Sequence, residues 1–75
     1  MNDENWMNEN IIIDFKVPDD IKFYMDLCES ANKENDYSYF NYLDALDCVC
    51  KEAVVVGDLT DKEWDTIMER YSAYE

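Results

Sequence analysis

The sequence from Asp58 to Tyr71, DLTDKEWDTIMERY, contains acidic residues at intervals of four: Asp61, Asp65 and Glu69. On an α-helix this spacing places three carboxylates in a row along one side, about 6 Å apart. Such a row can be an ordinary solvated surface. It can also bind a protein groove lined with Lys and Arg, because the spacing resembles that of phosphates along a nucleic-acid strand. The chemistry that it offers is electrostatic recognition.

The cysteines do not form a recognisable metal site. Cys48 and Cys50 are two residues apart, so on a helix their thiols point about 200° apart and cannot bind one tetrahedral metal ion. The chain also has no His to complete a ligand set. Free cysteines are usually buried, so we predict that Cys28 and Cys50 fill the core and that Cys48 lies on the polar side. We expect no metal and no cofactor.

The sequence also contains no motif for calcium binding or for catalysis. Asn32, Glu34 and Asp36 alternate as in a calcium loop, but Tyr37 and Leu43 stand where an EF-hand requires Gly and Glu. Without His, acid–base chemistry would need two carboxylates in a cleft that separates their pKa values. Three short helices offer little room for such a cleft. We therefore predict no catalytic residues and no enzymatic activity.

The overall charge narrows the class of partner. The 75 residues include 19 Asp and Glu but only six Lys and Arg, which gives a formal charge of -13. This charge argues against direct binding to nucleic acid or to an anionic membrane, and it favours a basic partner. No apolar run approaches the about 20 residues of a membrane span. The acidic N-terminus and the odd number of cysteines favour a cytoplasmic protein with reduced thiols.

The N-terminal part of the chain predicts two segments. Residues 1–9 are polar and rich in Asn, and we interpret them as a flexible arm whose Trp6 and Met7 can dock on the domain. Residues 10–75 then form a single helical domain. Apolar residues alternate from Ile11 to Val17 and predict a short strand that ends at Pro18. The other β-branched run, residues 54–56, fits either a second strand or a helix end.

The rest of the sequence predicts three amphipathic helices and a mainly α, compact three-helix domain with a short N-terminal extended strand. The first helix begins at Pro18 and ends near the sequence ANKEN. The second runs from about Tyr37 to Val55 and is stopped by Gly57. Its apolar stripe contains Tyr39, Tyr42, Leu43, Leu46, Val49, Cys50 and Ala53. The third begins after Thr60, which forms a capping box with Glu63. Its apolar stripe contains Trp64, Ile67, Met68, Tyr71 and Tyr74.

The polar side of the second helix carries further candidate binding residues. Asp44 and Asp47 lie there beside Phe40, which falls outside the apolar stripe of that helix. Phe40 either packs under the N-terminal arm or forms an exposed apolar spot, and aromatic residues bordered by acids are typical of protein interfaces. The predicted partner-binding residues are Asp61, Asp65, Glu69, Asp44 and Asp47, with Phe40 as an apolar anchor.

In size, charge and acidic helix faces such as TDKEWDTIMER, the chain resembles the small acidic phage-encoded inhibitors of host defence, the anti-CRISPR and anti-restriction DNA mimics. This resemblance implies an inhibitor that occupies the basic nucleic-acid groove of a host nuclease or DNA-binding protein. Those families do not share one fold, so the resemblance implies a type of activity only. The alternative is a homodimeric structural or adaptor module, in which the strand edge or the apolar residues outside the stripes join two copies.

Overall fold

Three helices form the framework of the protein in the computed structural model, which describes residues 5–72. They are α1 (Asp19–Glu34), α2 (Ser38–Val56) and α3 (Asp61–Tyr71). Side-chain contacts pair Trp64 with Asp47 and Tyr71 with Tyr39, so α3 runs antiparallel to α2. The radius of gyration of 12.0 Å is close to the about 11 Å expected for a compact chain of this length. The predicted three-helix domain is confirmed.

The ends of α1 follow from local backbone chemistry. The carbonyl of Pro18 accepts the first helical hydrogen bond from the Lys22 amide at 3.0 Å, so Pro18 is the N-cap residue, one position before the first helical turn. At the other end Asn35 has a φ of 51°, a left-handed conformation that Asn tolerates. The amide of Asp36 then bonds the carbonyl of Ala31 at 2.8 Å, which satisfies one of the last helical carbonyls.

The turn between α2 and α3 depends on Gly57 and Thr60. Gly57 has a φ of 89°, which a side chain would strain, and α2 ends one residue before it. Residues 54–56 are therefore the end of a helix. The hydroxyl of Thr60 accepts a hydrogen bond from the Glu63 amide at 3.1 Å, and the Glu63 carboxylate accepts one from the Thr60 amide at 3.0 Å. The predicted capping box is confirmed.

The predicted strand at residues 11–17 does not form, and residues 5–72 contain no strand. The physical reason is the lack of a partner, because the other β-branched run belongs to α2. The alternation predicted for these residues nevertheless matches the alternation of half-buried and exposed side chains. The odd-numbered positions from Ile11 to Val17 are half-buried, whereas Ile12, Asp14 and Lys16 are exposed.

The core lies where the three helices and the N-terminal segment meet. Cys28 and Cys50 are completely buried, as predicted, and Cys48 is exposed. Burial raises the pKa of both buried thiols to about 12, with smaller contributions from nearby carboxylates. Residues 1–4 of the predicted arm and Tyr74 of the third apolar stripe lie outside the described residues. The buried core residues are Trp6, Met7, Ile21, Met25, Cys28, Ala31, Tyr39, Leu43, Leu46, Cys50, Ala53, Leu59, Ile67 and Tyr71.

Candidate protein-binding surface

The carboxylate row of α3 faces solvent. Asp61, Asp65 and Glu69 are all exposed, and they occupy one side of an uninterrupted helix. The opposite side of α3 is anchored by Ile67 and Tyr71, both of which are completely buried. The helix therefore holds the three carboxylates outward on a fixed backbone, at the about 6 Å intervals that the helical repeat imposes.

The acidic residues of α2 are joined to this row through Trp64. The indole Nε1 of Trp64 donates a hydrogen bond to the exposed Asp47 carboxylate at 3.1 Å. Asp61 lies one turn before Trp64 on a neighbouring position of α3. Because the two helices are antiparallel, Asp44 lies one turn from Asp47 in the direction of the C-terminal end of α3. We call Asp44, Asp47, Asp61, Asp65 and Glu69 together the acidic face.

The described basic side chains form no ion pair with the acidic face. Within residues 5–72, the ion pairs are Lys22 with Asp26 at 3.8 Å and Arg70 with Glu29 at 3.7 Å, so no member of the acidic face forms one with another described residue. Both pairs involve carboxylates of α1, and neither includes a carboxylate of α2 or α3. The five exposed carboxylates of the face therefore add negative charge to this surface without a directly paired cation among the described residues.

Phe40 packs beneath the N-terminal segment, which is the first of the two arrangements expected for it. Its ring is half-buried and lies 5.0 Å from the ring of Trp6, measured between centroids. Trp6 also contacts Tyr37 and Tyr39, at 5.6 and 5.2 Å. These distances are typical of favourable aromatic pairs. Phe40 thus has a structural contact, and its role as a partner anchor stays a prediction.

Asn32 and Arg70 hold the N-terminal segment against the helices, and neither role was predicted from the sequence. The Asn32 side chain accepts a hydrogen bond from the Trp6 amide at 2.7 Å. The Arg70 guanidinium donates to the carbonyl of Ile11 at 2.7 Å, and the Arg70 carbonyl accepts from the Asn8 amide at the same distance. A Trp and a Met adjacent in an otherwise polar segment were the available signal for docking. Nothing in the sequence indicated which helix residues would receive them.

A polar cluster lies on the side of α3 away from the acidic face and consists of Arg70, Glu29 and Tyr71. It extends from the buried Tyr71 to the exposed Glu29. The Tyr71 hydroxyl donates to the Glu29 carboxylate at 2.5 Å, and burial, followed by this carboxylate, raises the Tyr71 pKa above its ordinary value. A cleft of about 530 Å³ borders the cluster and includes Glu9 and Lys33. The described polar groups of the cluster bond one another and the N-terminal backbone, so the cluster joins α1, α3 and the N-terminal segment.

The described residues contain no group of three or more His, Cys, Asp or Glu arranged to hold a metal ion. In the same part of the chain, no helix combines the length and apolarity needed to cross a membrane. No protein-family model matches the chain, and neither the curated proteins nor the solved structures give a significant match.

Proposed function

We propose that this protein is a non-enzymatic inhibitor that binds the basic nucleic-acid groove of a nuclease or other DNA-binding protein, in the cytoplasm of the host cell. The acidic face takes the place of a nucleic-acid strand, and Phe40 contributes an apolar contact. The observation that carries the proposal is an exposed set of carboxylates on two adjoining helices, without ion-pair partners among the described residues.

The packing supports this proposal because it fixes, before binding, the helices that carry the carboxylates. A groove that binds DNA offers Lys and Arg at regular spacing, and a rigid acidic helix meets them without the entropic cost of ordering a flexible acidic tail. The hydrogen bond from Trp64 to Asp47 keeps the α2 acids beside those of α3. Long-range attraction from the charge of -13 raises the association rate with a basic protein.

A capture experiment with matched charge variants tests the proposal. The test variant carries Asp61→Lys, Asp65→Lys and Glu69→Lys, and the control variant carries Asp14→Lys, Asp19→Lys and Glu34→Lys on exposed positions elsewhere. Three reversals add six positive charges, so the formal charge of either variant changes from -13 to -7. Immobilised proteins are incubated with bacterial lysate at low and at high salt, and the captured proteins are identified.

We expect the wild-type protein and the control variant to retain a nucleic-acid enzyme or DNA-binding protein at low salt. High salt and the test variant should each abolish this capture, because both weaken the attraction between the face and the groove. Equal loss in the two variants would mean that only net charge matters. Capture that survives high salt and the reversals at Asp61, Asp65 and Glu69 would contradict the proposal.

A homodimeric structural or adaptor module remains the alternative, and exposed apolar residues outside the core favour it. Val55 and Val56 are 78% and 70% exposed, and Ile12 is 68% exposed. Sedimentation equilibrium at low and high salt distinguishes the two functions. A stable dimer whose dissociation constant does not depend on salt would support the module, whereas a monomer at high concentration would remove its main support.

A further inference from the structure

The outer side of α2 carries an apolar patch that the described residues leave uncovered. Val55 and Val56 project from its last turn, and Cys48 is exposed two turns earlier. Together with Lys51 and Glu52 these residues line a shallow surface depression of about 530 Å³. We call Cys48, Val55 and Val56 the valine patch.

Neither helix formation nor core packing accounts for the two exposed valines. Val has a lower helix propensity than Ala, Lys or Glu, because the preceding turn restricts its branched side chain. In contrast to Val54, which packs against the core, Val55 and Val56 lie mainly in water. With Cys48 they form a contiguous apolar surface bordered by charged residues, an arrangement that binding sites use on a larger scale.

We propose that the valine patch is an apolar anchor for a basic protein surface whose apolar side chains are flanked by Lys or Arg. This inference rests on the proposed function and identifies a second apolar contact for the same partner, beside Phe40. Charge complementarity selects a basic occupant over a second copy. The exposed Asp44 lies one helical turn before Cys48 on the same side of α2, and a second copy would bring a further charge of -13 toward the patch.

The two parts of the surface then have separate roles. The acidic face attracts the partner over a long range and is sensitive to salt, whereas burial of the valine patch adds short-range affinity that salt affects little. Among the described residues that line the depression, Lys51 is the only basic one, and Glu52 beside it offsets its charge. Substitution of Lys51 by Glu should therefore strengthen the binding of a basic surface and weaken the association of two copies.

Two synthetic amphipathic peptides test the proposal. Both are helices of about five turns with Lys on the polar face, and the apolar face carries Leu in one peptide and Ala in the other. Each is titrated against the intact wild-type protein, the double variant Val55→Thr and Val56→Thr, and the control Ile12→Thr. Threonine keeps the branched shape of valine, so the double variant changes the polarity of the patch with little change in volume.

We expect the wild-type protein and the control to bind the Leu peptide about tenfold more tightly than the Ala peptide. The double variant should lose this preference and keep its affinity for the Ala peptide, and Lys51→Glu should strengthen the binding of both peptides. Equal affinity of the wild-type protein for the two peptides would overturn the valine patch as anchor while leaving the proposed function intact. A preference for the Leu peptide that survives in the double variant would likewise overturn the valine patch as anchor.

Two further outcomes separate the remaining possibilities. A dimer that dissociates in the double variant and is weakened by Lys51→Glu would replace the basic partner with a second copy as occupant. Reversal of Asp61, Asp65 and Glu69 should weaken binding of both peptides but preserve the preference for Leu. If that reversal leaves both affinities unchanged, the acidic face does not bind basic surfaces, and both the proposed function and the inference that rests on it fail.

Discussion

Replacement of Trp6 by Ala should destabilise the protein strongly, although Trp6 lies close to the N-terminus. Its side chain is only 6% exposed, and its ring contacts three other aromatic rings. Sequence position alone would assign this residue to a dispensable arm. The packing instead makes it part of the core, so the substitution tests whether the N-terminal segment belongs to the folded unit.

The size of the effect follows from the buried area. A buried aromatic side chain removes about 150–250 Å² from water, which at about 25 cal/mol per Å² gives an upper estimate of about 4–6 kcal/mol. If the N-terminal segment moves to fill part of the space that the indole leaves, the loss is smaller than this estimate. We therefore expect about 3 kcal/mol, the lower end for Trp→Ala substitutions. A domain of 75 residues has a total unfolding free energy of about 4–11 kcal/mol.

Urea unfolding followed by circular dichroism measures this loss. With an m-value of about 1 kcal/mol per M, the midpoint should fall by about 3 M for Trp6→Ala. Phe23→Ala is the matched control, because Phe23 is 58% exposed and its removal should cost less than about 1 kcal/mol. If Trp6→Ala lowers the unfolding free energy no more than the control does, Trp6 is not a core residue and our account of the N-terminal segment is wrong.

Other substitutions and conditions test individual contacts. Thr60→Ala should lower the unfolding free energy by about 1 kcal/mol through loss of the capping box. Thr60→Ser keeps the capping hydroxyl and should retain most of the wild-type stability. Equal unfolding midpoints for the two variants would contradict the capping role of Thr60. A thiol reagent at pH 8 should modify Cys48 rapidly and leave Cys28 and Cys50 protected in the native protein. Mass spectrometry of peptides measures the three rates. Modification of all three cysteines at one rate would contradict the burial of Cys28 and Cys50. Burial raises the pKa of Cys28 and Cys50 from 9.0 to about 12, so the unfolded state loses these protons at lower pH than the native state does. Stability is therefore retained below pH 9 and falls as pH rises toward 12. Burial also raises the pKa of Tyr71, so this residue should add to the loss of stability above pH 10. A urea midpoint that stays constant from pH 8 to pH 11 would refute this pH dependence.

The helices were predictable because their signals are local. The capping box at Thr60, the glycine stop at Gly57 and the apolar stripe of α2 depend on residues a few positions apart, and the structure contains all three. The strand predicted from Ile11 to Val17 failed for a different reason. Alternation specifies which side chains are buried, but a strand also needs a partner, and the sequence could not show that residues 54–56 would stay helical.

The exposure of the acidic residues could also be predicted from periodicity, since a helix with one apolar stripe leaves its other side in water. The contacts that join one element to another could not be predicted from the sequence. The bond between Trp64 and Asp47, the cover of Trp6 over Phe40 and the bonds of Arg70 to the N-terminal backbone all join residues distant in sequence. Each depends on how the elements pack, which no single segment of the sequence encodes.

Competition with DNA tests the proposed mimicry most directly. A captured DNA-binding protein is first bound to labelled duplex DNA, and wild-type protein or the variant reversed at Asp61, Asp65 and Glu69 is then added in increasing amounts. Our account predicts that the wild-type protein displaces the DNA completely, that more DNA restores binding, and that the variant displaces little. A stable complex that contains the partner, the DNA and this protein together would contradict it, because two ligands cannot occupy one groove.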